Sequence, residues 1–190
     1  SAVSPAIAPT GQYLTITGKN FGTKIGTISF KTATTGQVTL GDFTFPQQCA
    51  AAVWTDKQII VKFPRGQGTV GTKYIVQVKT ADNQTSLFDQ NHSLTLQSGD
   101  PTPGICAITP TSGPIPFPAG QSVRLYGDYF ITAAQPKADI YFWDAGATNP
   151  DSITGRVAVP AESIVEITAN TATVVPPADT VTGPVSVYRP

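Results

Sequence analysis

Gly11-Gln12-Tyr13-Leu14-Thr15-Ile16-Thr17-Gly18-Lys19-Asn20-Phe21 is the stretch whose reading decides the fold. Tyr13, Thr15 and Thr17 fall on one side of an extended chain and Leu14 and Ile16 on the other, because successive strand residues point to opposite faces. β-Branched and aromatic residues at that period, bounded by glycines, predict a short strand entering a turn. The pattern returns 109 residues later as Gly120-Gln121-Ser122-Val123-Arg124-Leu125-Tyr126-Gly127-Asp128-Tyr129-Phe130. Gly, Gln, Gly and Phe recur, and the alternation keeps its phase. Such a recurrence predicts two copies of one β domain.

The match extends in both directions. Val3-Ser4-Pro5 answers to Ile108-Thr109-Pro110, and Ile28-Ser29-Phe30 to Ile140-Tyr141-Phe142. Trp54 to Pro64 resembles Ile167 to Pro177, and Gly71 to Val78 parallels Gly183 to Tyr188. Ile59-Ile60-Val61-Lys62-Phe63 and Tyr74-Ile75-Val76-Gln77-Val78-Lys79 read as further strands. No window of about 12 residues carries an apolar stripe at helical spacing. Phe130–Ala138 and Cys49–Val53 have room for one helical turn and read as loop. The expectation is all-β. Between the copies, Ser98-Gly99-Asp100-Pro101-Thr102-Pro103-Gly104 has no apolar side chain besides its prolines. Its X-Pro steps favour extended backbone, which makes a short, stiff joint. The expected division is a first domain at 1–98, a linker at 99–104 and a second domain at 105–190.

Ser4-Pro5, Gly18-Lys19-Asn20-Phe21-Gly22 and Trp54-Thr55-Asp56-Lys57-Gln58-Ile59-Ile60-Val61-Lys62-Phe63-Pro64 together resemble the IPT/TIG family of immunoglobulin-like domains. The second copy looks like the same pattern in Ile108-Thr109-Pro110-Thr111-Ser112-Gly113-Pro114 and Gly127-Asp128-Tyr129-Phe130, with Ile167 where the first has Trp54. The resemblance implies two tandem immunoglobulin-like antiparallel β-sandwiches. Such domains occur in bacterial surface proteins, plexin-type receptors and some transcription factors. The family contributes no catalytic residues, and a sandwich hosts many unrelated activities.

The chain has 190 residues, with 12 basic and 12 acidic side chains. Charged residues are only 13% of it, about half the usual quarter. Neither a basic patch nor a run of about 18 apolar residues is present, which excludes nucleic-acid binding and a membrane span. The balanced total hides an asymmetry. The first domain carries seven lysines and Arg65 against four aspartates, or +4. The second carries three arginines and Lys137 against five aspartates and two glutamates, or −3. The 27 threonines, the low charge and the absence of Met suit an extracellular or cell-surface protein. The opening Ser1-Ala2-Val3-Ser4-Pro5 reads as a mature or excised segment rather than a targeting peptide. Asn83-Gln84-Thr85 and Asn91-His92-Ser93 are glycosylation sequons, relevant only in a compartment that reads them.

Few motifs carry chemistry. Gly66-Gln67-Gly68-Thr69-Val70-Gly71 matches the dinucleotide-binding string but lies between two strands, so it reads as a hairpin loop. The single His92 has no second histidine or carboxylate at useful spacing, and no nucleophile elbow accompanies it. Glu162 and Glu166 sit in loop and strand patterns, which is not a glycosidase pair in a cleft. Asp42, Asp82, Asp89, Asp128, Asp139, Asp144 and Asp151 are turn residues without a calcium-loop motif. A Lys–Asn crosslink would have to draw on Lys19, Asn83 and Asn91, which no apolar pattern singles out. No enzyme activity, cofactor or metal is expected.

Three features point to contacts. Tyr141, Phe142 and Trp143 are adjacent on a strand, so they cannot all face inward. Trp54, by contrast, stands where the family places a core aromatic. Cys49 and Cys106 are in different domains; they are either an interdomain disulfide or two buried thiols. The second domain ends at Val185-Ser186-Val187-Tyr188, without an equivalent of the first domain's closing Leu87-Phe88 and Ser93-Leu94-Thr95-Leu96. Three explanations stand beside one another: a longer parent protein, a different closure, or a strand supplied by a neighbouring chain. The functional expectation is a non-catalytic structural or adhesion module, a spacer or interaction domain of a cell-surface protein. Its partner is a protein or neighbouring copies of itself. The alternatives are a self-assembling filament or sheath subunit that adds strands at Val185, Val187 and Tyr188, and a glycan-binding module using Trp143 and its neighbouring tyrosines.

Overall fold

The computed structural model describes residues 2–87, 89–112, 121–143, 156–158 (backbone only), 163–178 and 180–190. The chain divides into two compact units, Ser1–Pro101 and Thr102–Pro190.

The first unit contains β1 (Ala2–Ser4), β2 (Ile7–Ala8), β3 (Tyr13–Thr17), β4 (Thr27–Thr32) and β5 (Val38–Leu40). A 3-10 turn at Gln47–Cys49 then runs into α1 (Ala50–Val53), followed by β6 (Gln58–Lys62), β7 (Lys73–Lys79) and β8 (Ser93–Leu96). One sheet has the order β1-β3-β6 and the other β2-β8-β7-β4-β5. All pairings are antiparallel except β2 with β8. The alternation seen in the sequence fills the core. Leu14, Ile16, Ile59 and Val61 come from the first sheet, and Ile28, Phe30, Tyr74, Val76, Val78, Leu94 and Leu96 from the second. Burying one such side chain is worth about 1.5–3 kcal/mol, which is what holds two small sheets together.

Two local expectations change. Tyr13 is buried although it lies on the outer face of β3. Phe45 meets it edge-on at 5.0 Å, and the Lys62 ammonium lies 4.8 Å from the Phe45 ring centroid and bonds the Thr44 carbonyl. The stretch after β5 thus covers that face, with Asp42 bridging to Lys62. The glycines at 66, 68 and 71 do not make a hairpin, because β6 and β7 belong to different sheets. They carry the chain across in positive-φ conformations, and a Cβ on Gly68 would strike Phe63 and Leu96.

The second unit contains β9 (Gly104–Thr109), β10 (Val123–Asp128), β11 (Asp139–Trp143), β12 (Arg156–Ala158), β13 (Ile164–Ile167), β14 (Thr171–Val174) and β15 (Ser186–Tyr188). Its sheets run β13-β14-β10-β9 and β12-β11-β15, all antiparallel. Val123, Leu125, Phe130, Ile140, Phe142, Ala172 and Val174 form the core, with Val185 and Val187 packed at its side. The joint is shorter than the sequence suggests. Gly104 already belongs to β9, paired with Asp128. The backbones pass so closely here that a Cβ on Gly127 would collide with the Gly104 carbonyl oxygen. Phe130–Ala138 forms no helix, whereas Cys49–Val53 does contribute to a short helical turn.

The duplicated sequence builds the same turn twice. In the first unit the Gly18 and Phe21 amides donate to the Lys57 and Asp56 carbonyls, at 2.9 and 3.1 Å. In the second, Gly127 and Phe130 donate to Asn170 and Ala169 at the same two distances. Asn20 and Tyr129, one residue before each Phe, both have φ near +60°. Each turn closes on a threonine, Thr55 or Thr168, whose hydroxyl accepts the amide three residues on. Both units are immunoglobulin-like β-sandwiches in architecture.

Candidate functional site

The second unit's β12-β11-β15 sheet receives the predicted contact residues and sorts them by face. Ile140 and Phe142 are buried, while Asp139, Tyr141 and Trp143 alternate with them on the outside. Val187 on β15 and Val185 just before it pack against the core; Ser186 and the 46% exposed Tyr188 take the other face. The register sets Tyr141 opposite Ser186 and Asp139 opposite Tyr188. One outer face therefore presents Asp139, Tyr141, Trp143 and Tyr188. Phe142, Val185 and Val187 belong to the interior side.

Trp143 is half-buried, and its carbonyl accepts the Val181 amide at 3.0 Å. Gly183 lies against its indole: a Cβ there would run into Trp143 Cγ and Cβ. The absence of a side chain at 183 lets the backbone seat the ring. Beside it, desolvation pushes the Tyr141 phenol above its usual 10.0, with Asp139 and then Tyr188 adding to the rise.

The comparable positions of the first unit show what the fold itself requires there. Ile28 and Phe30 on β4 correspond to Ile140 and Phe142 on β11, so Thr27, Ser29 and Lys31 stand where Asp139, Tyr141 and Trp143 stand. The strand pairing carries the match across, with Gln77 at the place of Ser186 and Lys79 at that of Tyr188. The same register places Gly183, three residues before Ser186, level with Tyr74, three before Gln77, and not with Gly71. A sandwich of this type folds with ordinary polar residues on that face. The second unit places aromatic rings at three of those positions.

Other sequence candidates are dispersed. Trp54 is buried and its indole N–H donates to the Phe21 carbonyl at 3.0 Å, a structural role. His92 does have a carboxylate nearby, Asp89 at 3.5 Å, which spacing alone did not single out. Glu166 pairs with Arg124 at 3.5 Å, and Glu162, Asp144 and Asp151 lie outside the described residues. Lys19, Asn83 and Asn91 are exposed, so none sits in the core environment that a Lys–Asn crosslink requires. Phe88 also lies outside the described residues, and β8 supplies the first unit's closing strand. Among the described residues no group of three or more His, Cys, Asp or Glu side chains is placed to hold a metal. No described helix is long and apolar enough to cross a membrane.

The first unit also has an open cleft of about 430 Å³ at its loop end, lined by Asn20, Phe21, Gly22, Lys24, Asp56 and Asp82 among others. Asp56 is engaged there, accepting the Gly22 amide at 3.1 Å. Hydrogen bonds within the loops account for this carboxylate without a ligand.

The turn at Gly18–Gly22 and the buried Trp54 are the features that carry the first unit's resemblance. Residues 1–93 match the IPT/TIG domain model. The match spans most of the first unit, and the Trp54–Phe21 bond ties two of the segments that carried the resemblance. No curated protein matches the chain. Among solved structures it is similar to the surface glycan-binding protein PbSGBP-B from Prevotella bryantii, at 19% identity and a TM-score of 0.35. That match covers 97% of this chain and 35% of the other, so the chain spans about a third of that protein's length. A complex of Dpr11 IG1 with DIP-gamma is similar at 11% identity and a TM-score of 0.24, covering 100% of this chain and 94% of that one. Likenesses this distant carry no argument about function.

Proposed function

We propose that the chain is a non-catalytic module of an extracellular or cell-surface protein, acting as a spacer or adhesion element built from two tandem IPT/TIG-type sandwiches. The observation that carries this reading is the repeated frame: two units with the same Gly-to-Phe turn, each spending its apolar residues on a core between two sheets. Among the described residues no acid, base and nucleophile converge, and Tyr141, whose phenol pKa is raised, stands on the outer face of its sheet. Assigning the second unit to the IPT/TIG type rests on its equivalent turn and strand register.

Cys49 and Cys106 enter the same proposal as partners in one disulfide. Its support is that the chain has these two cysteines and no third, and that both are buried. A persistent disulfide suits an oxidising, extracellular setting. Intact mass after alkylation tests it: no adduct is expected before reduction and one on each cysteine afterwards.

The module reading is tested by incubating the purified chain with ester, glycoside and peptide substrates while measuring labelled-chain binding to intact cells. Saturable binding without turnover is expected. Turnover that a single substitution abolishes would overturn it. A second reading, a self-assembling subunit, draws on β15 being outermost in its sheet among the described residues. It requires oligomers that grow with concentration in light scattering.

A further inference from the structure

We propose that the outer face of β11 and β15 is a glycan-binding platform, on which Trp143, Tyr141 and Tyr188 stack against sugar rings and Asp139 bonds their hydroxyls. The proposal deepens the module reading and rests on it, because it assigns that module a ligand and a surface.

The first unit serves as an internal control. It folds with Thr27, Ser29, Lys31 and Lys79 at the positions that hold Asp139, Tyr141, Trp143 and Tyr188. The rings are therefore not demanded by the architecture, and the inner faces of both strands already serve the core. Aromatic side chains at half-exposed, same-face positions give up hydrophobic stabilisation unless something covers them.

Tyr141 and Trp143 are two residues apart on one strand, which spaces them by about 7 Å. Tyr188 is diagonal to Tyr141 across the pairing, at about 7–8 Å. The three rings thus form a flat, staggered row rather than a pocket. Gly183 seats the Trp143 indole, so that ring need not be ordered by the ligand.

The chemistry of the row selects the ligand class. A flat aromatic row with a carboxylate beside it suits a molecule that has apolar ring faces and hydroxyl edges. A pyranose has both. A purely apolar partner would leave Asp139 desolvated and unpaired, at considerable cost. Asp139 and the second unit's net −3 charge also disfavour acidic sugars, so the ligand is a neutral glycan.

Affinity electrophoresis of the intact chain tests this, using gels that contain hydroxyethyl cellulose, xylan, galactomannan, mixed-linkage β-glucan or polygalacturonate. At least one neutral polymer is expected to retard the wild-type chain, and polygalacturonate is expected to have no effect. Tyr188→Ala and Trp143→Ala should each weaken retardation about tenfold or more, with unchanged circular dichroism. Tyr188 is exposed, so its variant serves if Trp143→Ala fails to fold. In titrations Trp143→Phe should remove the ligand-induced change in emission and leave that of the buried Trp54. Absence of retardation by every neutral polymer, retention in Tyr188→Ala, or stronger binding to polygalacturonate would each overturn the proposal. The module reading survives all three outcomes and falls only if the chain turns over a substrate.

Discussion

The two units use one frame and differ on one face. Where β4 and β7 of the first unit present Thr27, Ser29, Lys31, Gln77 and Lys79 to water, β11 and β15 of the second present Asp139, Tyr141, Trp143, Ser186 and Tyr188. The inward residues hardly change: Ile28 and Phe30 answer to Ile140 and Phe142, and Val76 and Val78 to Val185 and Val187. The interior of a sandwich is set by packing and alternation. Its exterior is free to diverge, and that divergence is where function can be read.

Substitutions can probe the shared frame and the divergent face separately. The largest effects belong to the frame. Phe21→Ala and Phe130→Ala remove the buried anchors of the duplicated turns, and each should destabilise its own unit by about 3–5 kcal/mol in chemical denaturation. Unequal costs differing by more than a factor of two would weaken the equivalence of the turns. Next comes Gly183→Ala, which pushes a methyl group into Trp143 and should cost about 1–3 kcal/mol by overpacking. That cost should shrink in a Trp143→Ala background, which removes the ring but keeps the Cβ that the new methyl group also meets. Gly71→Ala, in the first unit's crossing loop, has open space but φ +82°, so its cost of about 1–2 kcal/mol comes from backbone strain and should not depend on any ring. Tyr188→Ala should change stability by no more than about 0.5 kcal/mol, since the side chain is exposed.

The smallest effect is on pH dependence. The Tyr141 phenol has its pKa raised above the ordinary 10.0 by desolvation, with Asp139 and Tyr188 contributing. The folded state therefore holds that proton more tightly than the unfolded one. Its contribution is complete below pH 10 and is lost as pH rises through the folded pKa. Asp139→Asn should shift the phenolate absorbance titration of Tyr141 downward.

Much of the frame was legible because strand alternation and the Gly-to-Phe turn are local signals. The Leu14/Ile16 and Tyr13/Thr15/Thr17 faces and the β6 and β7 strands follow from period two alone. What escaped were effects of distant segments. Tyr13 is buried by Phe45 and Lys62, which no local pattern announces. The 66–71 glycines connect different sheets, because a strand's sheet partner is a long-range choice. Gly104 joins β9 through its fit against Gly127, although its neighbours read as a linker. At the candidate site the adjacency of Tyr141, Phe142 and Trp143 revealed that some ring must face outward. It took the register with β15 to bring Asp139 and Tyr188 to the same face, and the turn at Gly183 to seat the indole.

Central to this reading is that the outward rings are dispensable for folding. The direct test is a single variant, Tyr141→Ser with Trp143→Lys and Tyr188→Lys, which gives the second unit the first unit's residues at matching positions. Its far-ultraviolet circular dichroism and cooperative unfolding should persist, and its retardation by neutral polysaccharide should vanish. A chain that loses its second unfolding transition would contradict that claim, because the rings would then belong to the core.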